Sequence, residues 1–199
     1  MNTYLALGDS YTIGEGCPLY ENFPYQAVQL LRNQGKQFNA PEIIAQTGWT
    51  TFELADQISK TKFSDSYNIV SLLIGVNNQY RELSTSQFTL EFEELLMKAI
   101  GKAGKNKQHV FVLSIPDWGL TPFGINKNNK NISEEIYFYN NIVRKIALIH
   151  ETNYIDITTN SPETSEDLSY LAADSLHPSG KAYARWAKLL TDKVLSVIK

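Results

Sequence analysis

The residues best suited to chemistry lie far apart in the 199-residue sequence. Ser10 follows a short apolar segment, whereas Asp174 and His177 stand three positions apart near the carboxyl terminus. A serine hydroxyl becomes a nucleophile when a general base reaches it, and a histidine oriented by a carboxylate is such a base. Asn77 and the backbone of Gly48 add groups that can donate hydrogen bonds. Acyl transfer requires such a set, provided that the fold brings its members together.

Segments with strand and helix patterns alternate five times along the chain. Apolar segments predict strands at residues 3–7, 42–46, 67–74, 109–115 and 154–157. Helical patterns follow each of them, including a helix at 23–33 and a last helix with Pro178 as its first residue, and residues 116–131 are expected to form a loop. This alternation predicts an α/β fold with three layers, α/β/α, and a mostly parallel five-stranded sheet, formed by one domain over residues 1–199.

The ends of the predicted strands explain how the distant residues would meet. Ser10 follows the first strand, Gly48 the second and Asn77 the third, while Asp174 and His177 precede the last helix. In a parallel sheet these positions fall on one edge, which is where open α/β sheets bind ligands. We therefore expect all five residues to lie around one site.

The composition argues against several other classes of protein. A net charge of -3, a pI of about 5.6 and the lack of a basic run speak against nucleic acid as a partner. Cys17 is the single cysteine and the three histidines are scattered, so neither a disulfide framework nor a metal site is expected.

No apolar run is long enough to span a bilayer, and no signal-peptide pattern opens the sequence. We expect a cytoplasmic protein without a membrane span. A secreted or periplasmic protein that has lost its leader would have the same sequence, so that alternative stays open, as does the oligomeric state.

Four segments, in order, resemble the sequence blocks of the GDSL esterases, also called SGNH hydrolases. Gly8-Asp9-Ser10 matches the first block, Gly48 matches the glycine of the second, and Gly75-Val76-Asn77 matches the third. The last block, Asp-x-x-His, is matched in full by residues 174–177. The third block departs from the family pattern because Asn78 stands where the family has aspartate.

The resemblance implies a serine hydrolase on the flavodoxin-like SGNH-hydrolase fold, with no cofactor and no metal. It makes Ser10 the nucleophile, His177 the general base and Asp174 the residue that orients the imidazole. It assigns the oxyanion hole to the amides of Ser10 and Gly48 and to the Asn77 side chain. The expected reaction is the cleavage of small-molecule carboxylic esters through an acyl-enzyme.

The loop after the fourth strand carries Trp118 and Phe123, which we expect either to line an acyl pocket or to pack beneath the loop. Short connections and no evident lid favour short acyl chains, such as acetyl esters of carbohydrates or small alcohols. The family also includes lysophospholipases and thioesterases. Two further classes stay open, a non-catalytic binding module on this fold and a nucleotide or flavin binder, although the chain lacks a phosphate-binding glycine motif.

Overall fold

The computed structural model describes residues 1–127, 131–159 and 167–198. Within them, five parallel strands form one sheet in the order β2-β1-β3-β4-β5. The strands are β1 (Tyr4–Gly8), β2 (Glu42–Ala45), β3 (Ile69–Leu73), β4 (Val110–Leu113) and β5 (Asn153–Ile155). Each overlaps a strand that the apolar pattern predicted, so the predicted α/β/α fold with a parallel five-stranded sheet is confirmed.

Helices cover both faces of this sheet. In the described residues they are α1 (Ser10–Ile13), α2 (Phe23–Asn33), α3 (Thr51–Lys60), α4 (Val76–Tyr80), α5 (Thr85–Lys102), α6 (Pro122–Asn126), α7 (Ile132–Ile149) and α8 (Gly180–Val197). Helix α2 packs on α8, whereas α5 packs on both α3 and α7. None of the helices in the described ranges combines the length and the apolarity needed to cross a membrane.

Two sequence-based boundaries were wrong. The expected loop at 116–131 contains a 3-10 turn at Trp118–Leu120 and helix α6. The first residue of α6 is Pro122, which follows a capping threonine. Residues 128–130 lie outside the described part. Helix α8 begins at Gly180 rather than at Pro178, because Pro178 pairs with Leu171 in an antiparallel bridge.

The strand register aligns the carboxyl ends of the strands. Gly8 at the end of β1 pairs with Ala45 of β2 and with Leu73 of β3, which are the last residues of those strands. All residues of β1, β3 and β4 are buried, as their continuous apolar sequences predict for strands covered on both faces. The loops that leave β1, β2 and β3 therefore begin side by side on a rigid, well-packed edge.

Candidate active site

A tight turn presents Ser10 directly after β1. A Cβ atom at Gly8 would overlap the Thr12 side chain, so the close approach of the turn to β1 requires glycine there. The chain enters α1 at Ser10, and the Asp9 carboxyl group caps this helix by accepting a hydrogen bond from the Tyr11 amide at 3.0 Å. Asp9 thus acts as a structural hydrogen-bond acceptor.

Ser10, His177 and Asp174 form a continuous chain of hydrogen bonds. His177 Nε2 lies 3.0 Å from Ser10 Oγ, and His177 Nδ1 lies 2.6 Å from Asp174 Oδ2. Because a carboxylate only accepts hydrogen bonds, the neutral imidazole carries its hydrogen on Nδ1 and leaves Nε2 to accept the hydrogen of the Ser10 hydroxyl. This is the arrangement that general-base activation of a serine requires.

A turn before α8 holds the histidine and its carboxylate in place. Its two ends are joined by the bridge between Leu171 and Pro178. Inside the turn, Asp174 Oδ1 accepts the amides of Leu176 and His177 at 3.0 and 2.9 Å. The same carboxylate therefore shapes the turn and, through its other oxygen, faces the imidazole.

Asp174 is held in its ionised form. Partial burial acts to raise its pKa, but the hydrogen bonds from the His177 side chain and from the His177 and Leu176 amides outweigh burial and place the pKa below its ordinary value. An ionised carboxylate at this position stabilises the imidazolium that forms when His177 takes up a proton.

Gly48 and Asn77 border the cavity that Ser10 and His177 also line. Gly48 has a φ of 83°, in the left-handed region that glycine tolerates. Within the described ranges, the amides of Ser10 and Gly48 donate to no protein acceptor. Asn77 Nδ2 donates one hydrogen to the Trp49 carbonyl at 2.9 Å and has a second to offer. The three groups predicted for the oxyanion hole are thus brought together with a donor each.

The cavity in front of Ser10 has a volume of about 200 Å³. Trp118 and Phe123 both line it, although Trp118 is also buried against the loop at 5% exposure. Tyr80 also lines the cavity, and its ring centroid lies 5.5 Å from that of Trp118. Tyr80 was not predicted from the sequence, since only the short helix α4, which contains both Asn77 and Tyr80, brings this ring to the same cavity as Asn77.

Cys17 and His150 do not line the cavity in front of Ser10. Cys17 Sγ donates to the Pro178 carbonyl at 3.3 Å, and burial followed by the nearby Glu21 charge raises the pKa of its thiol, which disfavours a nucleophilic thiolate. His150 Nε2 pairs with Glu93 at 2.6 Å. Across the described ranges, no three His, Cys, Asp or Glu side chains cluster closely enough to hold a metal ion.

Comparison with protein-family models gives a match over most of the chain. Residues 6–185 match the model of the GDSL-like Lipase/Acylhydrolase family. The chain belongs to this family. The resemblance seen in the four sequence blocks is confirmed, and the protein is a carboxylic ester hydrolase of the GDSL class. No curated protein sequence matches the chain significantly.

Solved structures that are similar to this chain include two esterases or acylhydrolases and the protein TesA. The acetylxylan esterase Axe2 from Geobacillus stearothermophilus is 15% identical, with a TM-score of 0.76 over 97% of this chain and 94% of that one. A lipase/acylhydrolase from Enterococcus faecalis is 18% identical, with a TM-score of 0.75 over 100% and 98% of the two chains. TesA is 16% identical, with a TM-score of 0.73 over 98% and 99%. At these identities the likeness concerns the fold, and it confirms the SGNH-hydrolase fold.

A side chain that the sequence analysis missed holds the glycine of the second GDSL block. Arg81 Nη2 donates to the Gly48 carbonyl at 2.5 Å, and Arg81 Nη1 pairs with Glu53 at 2.9 Å. Glu53 in turn accepts the Thr50 amide at 2.7 Å within the capping box of α3. Arg81 therefore ties the turn that carries Gly48 to the start of α3. Its only signal in the sequence is its place four residues after Asn77, one helical turn away.

The departure from the family pattern at Asn78 also has a structural explanation. Asn78 Oδ1 accepts the Thr51 amide at 3.1 Å, and Asn78 Nδ2 donates to Thr51 Oγ1 at 2.7 Å. The Thr51 hydroxyl then donates its single hydrogen to the Glu91 carboxylate. An aspartate at position 78 would compete with Glu91 for that one hydrogen. Asparagine resolves this competition while still accepting the backbone amide.

Proposed function

We propose that this GDSL-family protein hydrolyses short-chain carboxylic esters through a serine acyl-enzyme, with Ser10 as nucleophile, His177 as general base and Asp174 as its orienting carboxylate. The observation that carries the proposal is the 3.0 Å contact between Ser10 Oγ and His177 Nε2, continued at 2.6 Å to Asp174. The distances are those at which a proton passes directly between the groups.

The steps follow from this geometry. Ser10 Oγ attacks the ester carbonyl carbon while His177 Nε2 takes the hydroxyl proton. The carbonyl oxygen becomes an oxyanion, which accepts hydrogen bonds from the Ser10 and Gly48 amides and from Asn77 Nδ2. His177 then returns its proton to the departing alcohol oxygen, and the bond to that oxygen breaks. A water molecule then gives a proton to His177 and attacks the acyl carbonyl carbon. The bond between that carbon and Ser10 Oγ breaks, Ser10 Oγ takes the proton back from His177, and the acid is released.

The size and lining of the cavity support a short acyl group. About 200 Å³ bounded by Val76, Tyr80, Trp118 and Phe123 suits a small apolar group better than a long chain. Two of the proteins whose solved structures share this fold, Axe2 and AlAXEase, are named acetyl xylan esterases. Acetyl or other short esters of carbohydrates or small alcohols are therefore the substrates that we propose.

Other functions that are possible for this family would require different features of the site. A lysophospholipase or a thioesterase would have to accommodate a longer chain or a thioester leaving group in the same cavity. A binding module without catalysis would not need a hydrogen bond between the serine and the histidine. The contact between Ser10 and His177 favours an enzyme.

The first test is the hydrolysis of p-nitrophenyl acetate by the wild-type protein, Ser10→Ala, His177→Ala and, as a control, Ser59→Ala on the exposed surface of α3. We expect each active-site variant to lose at least about 10⁴-fold in kcat, and Ser59→Ala to keep the wild-type rate. Wild-type turnover in Ser10→Ala would refute the proposed nucleophile. Absence of turnover in the folded wild-type protein, with no labelling of Ser10 by a fluorophosphonate, would refute catalysis at this site.

A further inference from the structure

Trp118 borders two neighbouring spaces that share part of their lining. One is the cavity of about 200 Å³ in front of Ser10, and the other, the rear space, has a volume of about 30 Å³. Tyr11, Trp118 and Leu176 border both spaces. The rear space is otherwise bounded mainly by apolar side chains, among them Ile157 and Trp186, and has room for about two water molecules.

A chain of hydrogen bonds, buried at Trp118 and Gln79 and partly exposed at Glu135, fixes the indole in this position. Trp118 Nε1 donates to Gln79 Oε1 at 2.8 Å, and Gln79 Nε2 donates to Glu135 Oε2 at 2.6 Å. Because the Glu135 carboxylate only accepts, the Gln79 amide must turn its NH₂ group toward Glu135 and its oxygen toward the indole. Gln79 is 4% exposed, so the bond from Trp118 lies away from water and has no ready replacement.

The backbone of Trp118 is held as well. Thr121 Oγ1 donates to the Trp118 carbonyl at 2.7 Å, and the Asp117 carboxylate caps the 3-10 turn through the Gly119 amide at 3.0 Å. Asp117 also accepts the Ser133 hydroxyl at 3.0 Å, which ties the turn to α7. The indole is therefore anchored at its backbone by α6 and α7 and at its nitrogen by α4.

We propose that Trp118 is the end wall that limits the length of the acyl chain, and that Gln79 is the positioning residue that keeps this wall closed. This proposal rests on the proposed function, because it assigns the cavity in front of Ser10 to the acyl group. Removing the indole would join the two spaces into one apolar channel that begins at the nucleophile.

The chemistry of the lining assigns the cavity to the acyl chain rather than to the alcohol. Val76, Trp118 and Phe123 offer aliphatic and aromatic surface, which suits a hydrocarbon chain. A sugar or another polyol placed there would leave hydroxyl groups without partners, and each would cost free energy. The alcohol also has to leave before deacylation, so the open side of the site suits it better.

The test measures kcat/KM for p-nitrophenyl esters from acetate to decanoate with wild-type protein, Trp118→Ala and Gln79→Leu. For the wild type we expect kcat/KM to decline beyond about four acyl carbons. In Trp118→Ala each further methylene that enters the joined space should raise kcat/KM about fourfold, or about 60-fold for three methylenes. Gln79→Leu should shift the same preference in the same direction by a smaller factor, since the indole is freed but still present.

A matched control for Gln79→Leu is Gln87→Leu. Gln87 Nε2 also donates to a glutamate carboxylate, that of Glu91, at 2.8 Å, but it lies exposed on α5 outside the cavity. Gln87→Leu should keep the wild-type chain-length profile. General loosening of the protein would lower kcat/KM for all esters together. The ratio of kcat/KM for long esters to that for short esters therefore reports on the end wall alone.

A further variant separates an opened channel from a damaged site. Adding Ile157→Phe to Trp118→Ala refills the joined space and should restore the preference for short esters. Circular dichroism establishes that each variant is folded; if Trp118→Ala is not, Trp118→Leu and Gln79→Leu carry the same comparison.

If the ratio of kcat/KM for long and short esters is unchanged in the folded Trp118 and Gln79 variants, Trp118 is not the end wall. A shift that depends on the alcohol, measured with a series of alkyl acetates, would overturn the acyl assignment. If no protein in the set hydrolysed any ester and Ser10 resisted the fluorophosphonate, the proposed function itself would fail. If Ser10-dependent acetate hydrolysis were present without any shift, only the wall would fail.

Discussion

Asp9, which stands beside the proposed nucleophile, provides a quantitative test of the site's electrostatics. The residue is fully buried, and in the described structure its Oδ2 has no hydrogen-bond partner while Oδ1 accepts the Tyr11 amide. Burial raises the pKa of this carboxyl from 3.8 to about 7, although the hydrogen bond from the Tyr11 amide partly opposes the rise. The folded protein therefore keeps a proton on Asp9 over a pH range in which the unfolded chain has lost it.

The size of the effect follows from these two pKa values. Between about pH 4 and pH 7 the folded state binds more protons than the unfolded state, so the free energy of unfolding falls as the pH rises. For one group with this shift, the loss between pH 5 and pH 8 is about 2.5 kcal/mol. Asp9→Asn keeps an acceptor for the Tyr11 amide but does not titrate. Any loss of stability caused by the new side-chain NH₂ group, which has no hydrogen-bond partner, is therefore the same at every pH.

The assay is urea unfolding of the wild-type protein and Asp9→Asn at pH 5, 6, 7 and 8. The difference between the two free energies of unfolding cancels every other titrating group that the substitution leaves undisturbed. We expect this difference to move by about 2.5 kcal/mol in favour of Asp9→Asn as the pH rises from 5 to 8. A difference that stays within about 0.5 kcal/mol over this range would show that Asp9 ionises near its ordinary pKa, and the reasoning from burial would be wrong.

Three further substitutions test the groups around the oxyanion position. Asn77→Ala should lower kcat on p-nitrophenyl acetate by about 10²–10³-fold, the value of one oxyanion donor; full turnover would exclude Asn77 from that role. Arg81→Met should lower kcat by about 10-fold to 10²-fold through the loosened turn and change KM less; wild-type kcat would show that the arginine is dispensable. Asn78→Asp should lower the free energy of unfolding by about 1–3 kcal/mol, because two carboxylates then compete for the Thr51 hydroxyl. Adding Glu91→Gln to Asn78→Asp should restore most of this loss, as measured by urea unfolding. A double variant that is no more stable than Asn78→Asp would contradict the proposed competition.

The sheet edge could be predicted because it depends on local signals. Ser10, Gly48 and Asn77 each follow an apolar segment within a few residues, and the alternation of strands with helices implies parallel strands. The observed register aligns the ends of β1, β2 and β3, so residues placed just after those ends must lie together. The catalytic roles of these residues, as distinct from their positions, stay predictions until turnover is measured.

The side-chain contacts between distant elements could not be predicted in this way. Gln79 meets Trp118 and Glu135, which follow it by 39 and 56 residues, and no periodic pattern links the three. Helix α6 has a capping threonine and Pro122 at its start, but its five residues are too few to show a helical period. Local sequence identifies single elements, whereas contacts between side chains of distant elements depend on the path of the whole chain.

Helix α4 and the turn at residues 47–51 illustrate how such contacts act together. Asn77 bonds to the Trp49 carbonyl, Asn78 to Thr51 and Arg81 to the Gly48 carbonyl, so three side chains of one short segment hold residues 48, 49 and 51.

A helix of five residues is not stable by itself, so α4 depends on the turn as much as the turn depends on α4. Asn77→Ala removes an oxyanion donor and one of these ties together. We therefore expect Asn77→Ala and Arg81→Met to be non-additive, with the double variant losing less in kcat than the product of the two single losses. Losses that multiply would show that the two side chains act independently, and that the turn is held by its own backbone rather than by α4.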